Sequence, residues 1–187
     1  VRISIVESDA SAMKCKCSFK MLGYEKMARD NGVTLVNLSE DEHTKASVVV
    51  NRRNFTFMLP STIQKADLFI NVPKIKYTFR QARMSCALKN IFGCNPFPLK
   101  YKYHERLNEV IVALNKLMKS DICIVDGNMA YGEGTRLLGL VMASRDNVAV
   151  DAACSRILGI SMRGLKFLSI AQKEKVGQTS YILKGAP

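Results

Sequence analysis

Between Asp67 and Gly93 lies the stretch that most restricts how this chain can fold. A short apolar run, Leu68-Phe69-Ile70, breaks at Asn71-Val72-Pro73 and is followed at once by Lys74 and Lys76. A run this short and this apolar fits a strand buried in a parallel sheet. Proline has no N–H to give to a central ladder, so the strand is expected to end there. Lys89-Asn90-Ile91-Phe92-Gly93 completes the segment. In open α/β sheets, ligands collect outside the carboxyl ends of strands. Cations and amides at that place predict a receptor for a negatively charged molecule.

The flanking sequence alternates strand and helix. Val1 to Val6 reads as an entry strand, and Ser8 or Asp9 can cap a helix running to about Asp30, with Cys15, Phe19 and Leu22 inward. Asn31-Gly32 stops it, and Val33 to Leu38 is the next strand. Glu40 to Lys45 reads as a polar loop, then Ser47 to Val50 and Phe55 to Leu59 form a hairpin at the sheet margin. Pro60-Ser61 opens a short helix.

Downstream, a helix is expected over Gln81 to Phe92, and a cleaner one over His104 to Met118. The latter carries an apolar stripe of Leu107, Val110, Ile111, Leu114, Leu117 and Met118. Ile122 to Val125 is a strand ending in Asp126-Gly127, and a glycine-bearing loop leads to a further strand over Leu138 to Ala143. Asp146 or Asn147 caps a helix to about Leu158, Ser161 caps another to about Lys175, and Gln178 to Leu183 forms an edge strand. The expected class is therefore α/β: a mainly parallel sheet flanked by helices in three layers, with a small marginal hairpin, as one domain over residues 1–187.

No apolar run approaches the roughly 20 residues of a membrane span. The N-terminus has neither an initiator Met nor the layout of a secretory signal, so it reads as an incomplete start. Six cysteines without an export signal predict reduced thiols and a cytoplasmic location. Cys15 and Cys17 point to different helix faces, and the other four are scattered without a CxxC, so buried thiols are expected and no metal.

The net charge is +12, and the segment from Pro73 to Arg106 holds eight basic residues against one acid, Glu105. Such a field suits an anionic small ligand or a polyanion. Two strand ends then supply candidate site residues. Asn71, Lys74, Lys76, Lys89 and Asn90 are expected to bind the ligand; Asp126 and Glu133 are expected to serve acid/base or metal-assisting functions. Neither GxGxxG nor GxxxxGK[ST] occurs, so no phosphate fingerprint names a cofactor, which stays unknown, and the absence of GxSxG leaves Ser/His/Asp hydrolysis without support. Nucleic acid is the second candidate partner: Tyr101-Lys102-Tyr103 interleaves stacking rings with a cation, though no recognised nucleic-acid motif accompanies it.

The strings NVPKIK and ALKNIFG closely resemble the core motif of the proteins called domain of unknown function 362. YHERLNEVIVALN, DICIVDGNMAYGEG and RDNVAVDAACSRILGI extend the resemblance over roughly Asp67 to Ile160, with a weaker match upstream. The family has no settled activity. Its attachment in some members to ferredoxin-like iron–sulphur domains implies a redox setting and an iron–sulphur partner protein, or a structural role within such a system. The cysteine runs of those domains are absent here, and Tyr77-Thr78 stands where many members have Thr-His. Relatives also carry more sequence before the first strand.

Overall fold

The structure is a computed structural model describing residues 1–78, 82–132 and 134–185. Its first unit pairs β1 (Ser4–Glu7) in parallel with β2 (Thr34–Asn37), from Ser4 opposite Thr34 to Glu7 opposite Asn37. Two helices connect them where one was expected: α1 (Cys15–Met21) and α2 (Tyr24–Asn31). Gly23, at φ 76°, takes the left-handed conformation that breaks the helix. The break turns Leu22 out to 71% exposure, while Cys15 and Phe19 stay buried as predicted. The Asp9 carboxylate accepts the amide of Cys15 at 2.9 Å, and Gly32 ends α2 at φ 63°.

β3 (His43–Val50) and β4 (Arg53–Pro60) form an antiparallel hairpin of eight residues a side. It is longer than expected, because the segment read as a polar loop supplies His43, Thr44 and Lys45 to β3. Asn51 and Arg52, both at positive φ, make the two-residue connection whose twist matches paired strands. α3 (Ser61–Gln64) follows Pro60.

The third unit is a five-stranded mixed sheet of β5 (Ile70–Asn71), β6 (Lys74–Tyr77), β7 (Met84–Ser85), β8 (Ile122–Tyr131) and β9 (Arg136–Ser144). β5 and β6 run parallel to β8 one after the other, with Ile70 opposite Ile122 and Lys74 opposite Asp126. β7 is antiparallel to β6, and β9 is antiparallel to β8. The class is α/β as expected, but this sheet is mixed rather than mainly parallel.

β5 ends at Asn71, before Pro73, as expected, but the pairing with β8 goes on: the Pro73 carbonyl accepts the Asp126 amide at 2.9 Å, and the ladder resumes at Lys74. β8 likewise continues through Asp126-Gly127 to Tyr131, with a register shift between Gly127 and Met129. A Cβ on Gly127 would overlap the Leu140 side chain and lie 3.0 Å from the Leu140 carbonyl oxygen. Gly127→Ala is therefore expected to destabilise the fold by about 1–3 kcal/mol, the range for overpacking. An unchanged urea midpoint would show that Leu140 swings clear.

The helices around the sheet are α4 (Ala87–Gly93), α5 (Leu107–Leu117), α6 (Asn147–Ile157) and α7 (Lys166–Lys173). α4 packs on α5 and α6, and α5 also meets α7 and β3. α4 starts later than expected because Met84 and Ser85 pair with β6 and Cys86, at φ −151°, is outside helical space; Gln81 lies outside the described residues. His104 sits in a 3-10 turn before α5, since Arg106 at φ −128° leaves helical space. Burial of Val112, Ala113 and Asn115 beyond the predicted stripe follows from neighbours on several sides of α5. Phe167, Ile75, Leu88, Ile111 and Leu114 are fully buried at the centre.

Asp146 caps α6 as predicted, accepting the amides of Val148 at 2.7 Å and Ala149 at 3.1 Å. Its second oxygen accepts the amide of Gln178 at 2.8 Å and so anchors the tail, which is irregular rather than an edge strand.

Candidate functional site

Side chains alternate along a strand, and β6 shows the consequence. Ile75 is fully buried in the core, whereas Lys74 and Lys76 are exposed on the opposite face. Asp126, opposite Lys74 in the ladder, shares that face, and the two side chains form an ion pair. The hydrogen bond from Lys74 holds the Asp126 carboxyl below its usual range, helped by the Asn128 amide, and the pairing raises Lys74 in turn. Both side chains are well exposed, at 47% and 39%, so solvent screens the pair. The Lys74 ammonium also lies 5.5 Å from the centre of the Tyr131 ring. Asp126 is thus an ionised counter-charge, and a weaker base than an ordinary carboxylate.

Lys89, on α4, is half-buried. Burial lowers its pKa first, and the nearby charge of Lys76 lowers it further. Among the described residues neither Lys76 nor Lys89 has a carboxylate partner. Two neighbouring ammoniums without a counter-charge form the feature here that most favours an anion.

Asn71 and Asn90 are brought together, but away from the lysine face. Asn71 is 2% exposed. Its amide donates to the Ala87 carbonyl at 3.0 Å and to Asn147 Oδ1 at 3.3 Å, and its Oδ1 accepts from Asn90 at 2.8 Å. Asn147 passes the network on to Asn115 at 3.2 Å and Ser120 at 3.0 Å, and Asn115 donates to the carbonyls of Leu88 and Ile111. These amides tie β5, α4, α5 and α6 to one another. Glu133 lies outside the described residues.

Two features escaped the sequence. Tyr131 joins Lys74 because β8 runs past Gly127, which its glycine disguised as a loop. Asp151 is fully buried in α6 and accepts the amides of Ala87 at 2.7 Å and Leu88 at 3.1 Å. Burial outweighs those two donors and pushes its pKa up to about 7. A lone carboxylate in the apolar run VAVDAAC was the signal for it.

All six cysteines are free, and four of them (Cys15, Cys86, Cys123 and Cys154) are buried. Burial raises the thiol of Cys15 to about 11 and those of Cys94 and Cys123 to about 12, which makes them poor nucleophiles at neutral pH. Among the described residues no group of three or more His, Cys, Asp or Glu side chains is placed to hold a metal ion. Part of the basic segment is used internally: Lys100 donates to Ser8 Oγ at 2.5 Å and to the Gly93 carbonyl at 2.9 Å. Tyr103 packs against Phe57, Phe92 and Phe97, with ring centres 5.9–6.4 Å apart, which leaves Tyr101 as the exposed ring of the expected stacking pair. No helix among the described residues is long and apolar enough to cross a membrane.

A family model described as Domain of unknown function (DUF362) matches residues 2–156. The thylakoid-associated protein sll1697 of Synechocystis sp. is 34% identical over 125 residues, which is 60% of this chain and 38% of that protein. The chain thus spans well under half the length of that relative. No solved structure matches.

Proposed function

The chain belongs to the DUF362 family, and from that membership and the geometry of β6 and α4 we propose that it binds a small anionic molecule, carboxylated or phosphorylated. The observation that carries this reading is the pair Lys76 and Lys89. Each ammonium repels the other, and one of them is partly withdrawn from water. An anion between them relieves both costs. Lys74, held by Asp126 and the Tyr131 ring, adds positive field at the margin. In this reading Asp126 positions Lys74, and Asn71 with Asn90 supports α4 beneath Lys89. Burial and then the charge of Lys76 lower the pKa of Lys89, so of these lysines it gives up its proton the more readily; Glu133 keeps its expected acid/base role. A cytoplasmic location belongs to the same proposal. The thylakoid association of the Synechocystis protein is that protein's own.

The test begins with mass spectrometry of small molecules released from gently purified protein, followed by calorimetric titration of whatever is found. Each charge-assisted hydrogen bond contributes about 1.5–3 kcal/mol, which is roughly tenfold or more in affinity. Lys76→Met with Lys89→Met should therefore weaken binding on the order of 100-fold with the circular dichroism unchanged. Undiminished affinity in that double variant would sink the proposal. Tight oligonucleotide binding whose salt slope counts several phosphates would replace it with the nucleic-acid reading.

A further inference from the structure

A cleft of about 580 Å³ opens where the carboxyl end of β6, the β8–β9 turn and the end of α6 meet. Tyr77, in its lining, turns toward the core, whereas Lys76 is exposed and is not among the lining residues. Its volume is too large for a lone inorganic ion and falls within the range of small-molecule sites, about 300–1,000 Å³.

Three observations on its walls converge. Arg83 sits at φ 52°, in the left-handed region that a long side chain adopts only at a cost. Its guanidinium lies over Gly164, where a Cβ would come 2.8 Å from Nη1, so the absence of a side chain at 164 makes room for it. Among the described residues Arg83 has no carboxylate partner. Beside it in the lining, the hydroxyl of Thr78 is buried with no hydrogen-bond partner among the described residues, an arrangement that native proteins rarely leave unanswered. The opposite wall is open: a methyl group at Gly134 would meet nothing within 4 Å, and Gly159 turns the chain at φ 69°. The Tyr77 hydroxyl is already committed to the Leu158 carbonyl at 3.0 Å, which fixes its ring as a flat apolar side to the cleft.

We propose that this cleft is a second binding site, taking the oxyanion end of a small molecule, carboxylate or phosphate, with Arg83 as its anchor and the Thr78 hydroxyl as the donor that orients it. A guanidinium presents paired N–H groups that match either oxyanion in two-point contact. The strained backbone at Arg83 and the orphaned hydroxyl at Thr78 are then features that the ligand satisfies. The rest of the ligand lies along the ring of Tyr77 and Ile160.

Inorganic phosphate and acetate are the probes, titrated separately into the full chain with amide ¹H–¹⁵N shifts as the readout. Saturable shifts are expected at Thr78, Gly134, Gly159 and Ser161, and the tighter probe identifies the oxyanion. Arg83→Met should weaken the effect at least tenfold, and Thr78→Val severalfold. Arg83→Gly accepts φ 52° without strain, so it should lose binding while its Tm stays level or rises, which separates a lost anchor from a lost fold. The Lys76→Met, Lys89→Met protein should retain these shifts, so failure of the lysine site and failure of this one are distinguishable. Shifts in neither probe, shifts confined to other residues, or an Arg83→Met protein that binds like wild type would each overturn the proposal.

Discussion

Raising the pH from about 4 to 8 should cost this protein about 4 kcal/mol of folding stability through Asp151 alone. An unfolded aspartate titrates near its ordinary 3.8, whereas burial moves the folded carboxyl to about 7. Between those values the folded state holds a proton that the unfolded chain has released. The contribution is therefore fully present below the unfolded pKa, falls as pH rises, and levels off above the folded one. At about 1.4 kcal/mol per unit, the interval of some three units gives the total. Carboxylates with lowered pKa, such as Asp9 and Asp126, act with the opposite sign at the acid end. Their stabilisation is lost as the pH falls, which leaves an optimum near the bottom of the Asp151 window. Urea denaturation of wild type and Asp151→Asn at pH 5 and pH 8 isolates the effect. The variant keeps an oxygen for the amide of Ala87 or Leu88 but has no proton to lose, so its curve should be flat where wild type declines. Parallel pH profiles for the two proteins would refute the assignment.

Asn71→Leu is expected to destabilise the fold by about 2–4 kcal/mol, because it strands polar groups inside the protein rather than merely deleting one bond. The Ala87 carbonyl loses its donor from Asn71, the Asn90 amide loses its acceptor, and Asn147 loses one of its contacts. Leucine keeps the branch at Cγ but its methyl groups are bulkier than the amide, so overpacking adds to the polar cost at this buried position. Asn90→Ala should cost less, since that residue is exposed and only one acceptor, Asn71 Oδ1, loses a donor. The comparison also fixes what Asn71 does. A large fall in the urea midpoint, together with ligand affinity held constant, makes it a support; lost affinity in a protein of normal stability would return it to the binding role that the sequence suggested.

The difference between those roles shows how far the sequence could be read. The periodicity of α5, the Asp146 cap and the glycine stop at Gly32 are local signals, and the structure repeats them. Gly23 was less legible, because a glycine inside a helical pattern is tolerated as often as it breaks one. Pro73 follows the end of β5 as read, but the return of the ladder beyond it was not legible, for a different reason. Missing an N–H disqualifies a residue from donating to the ladder, yet its carbonyl still accepts, and sequence does not say which group the neighbouring strand requires. The alternation of faces runs unbroken through the proline: Asn71, Pro73 and Ile75 point in while Val72, Lys74 and Lys76 point out, so residues adjacent in the motif part company in space. The pairing of Lys74 with Asp126 was legible as a convergence of two strands; that no described carboxylate pairs with Lys76 or Lys89 required coordinates.

The strand carrying those lysines runs beside a partner whose Asp126 is 52 residues further along the chain. At a synthesis rate of about 5–20 residues per second, β6 leaves the ribosome about 3–10 s before β8 can meet it. The hairpin of β3 and β4, by contrast, closes within microseconds of its own emergence. For those seconds an unpaired strand edge flanked by Leu68 and Ile75 stands open in a crowded cell, and the positive charges on Lys74 and Lys76 keep nascent neighbours at arm's length until the sheet is complete.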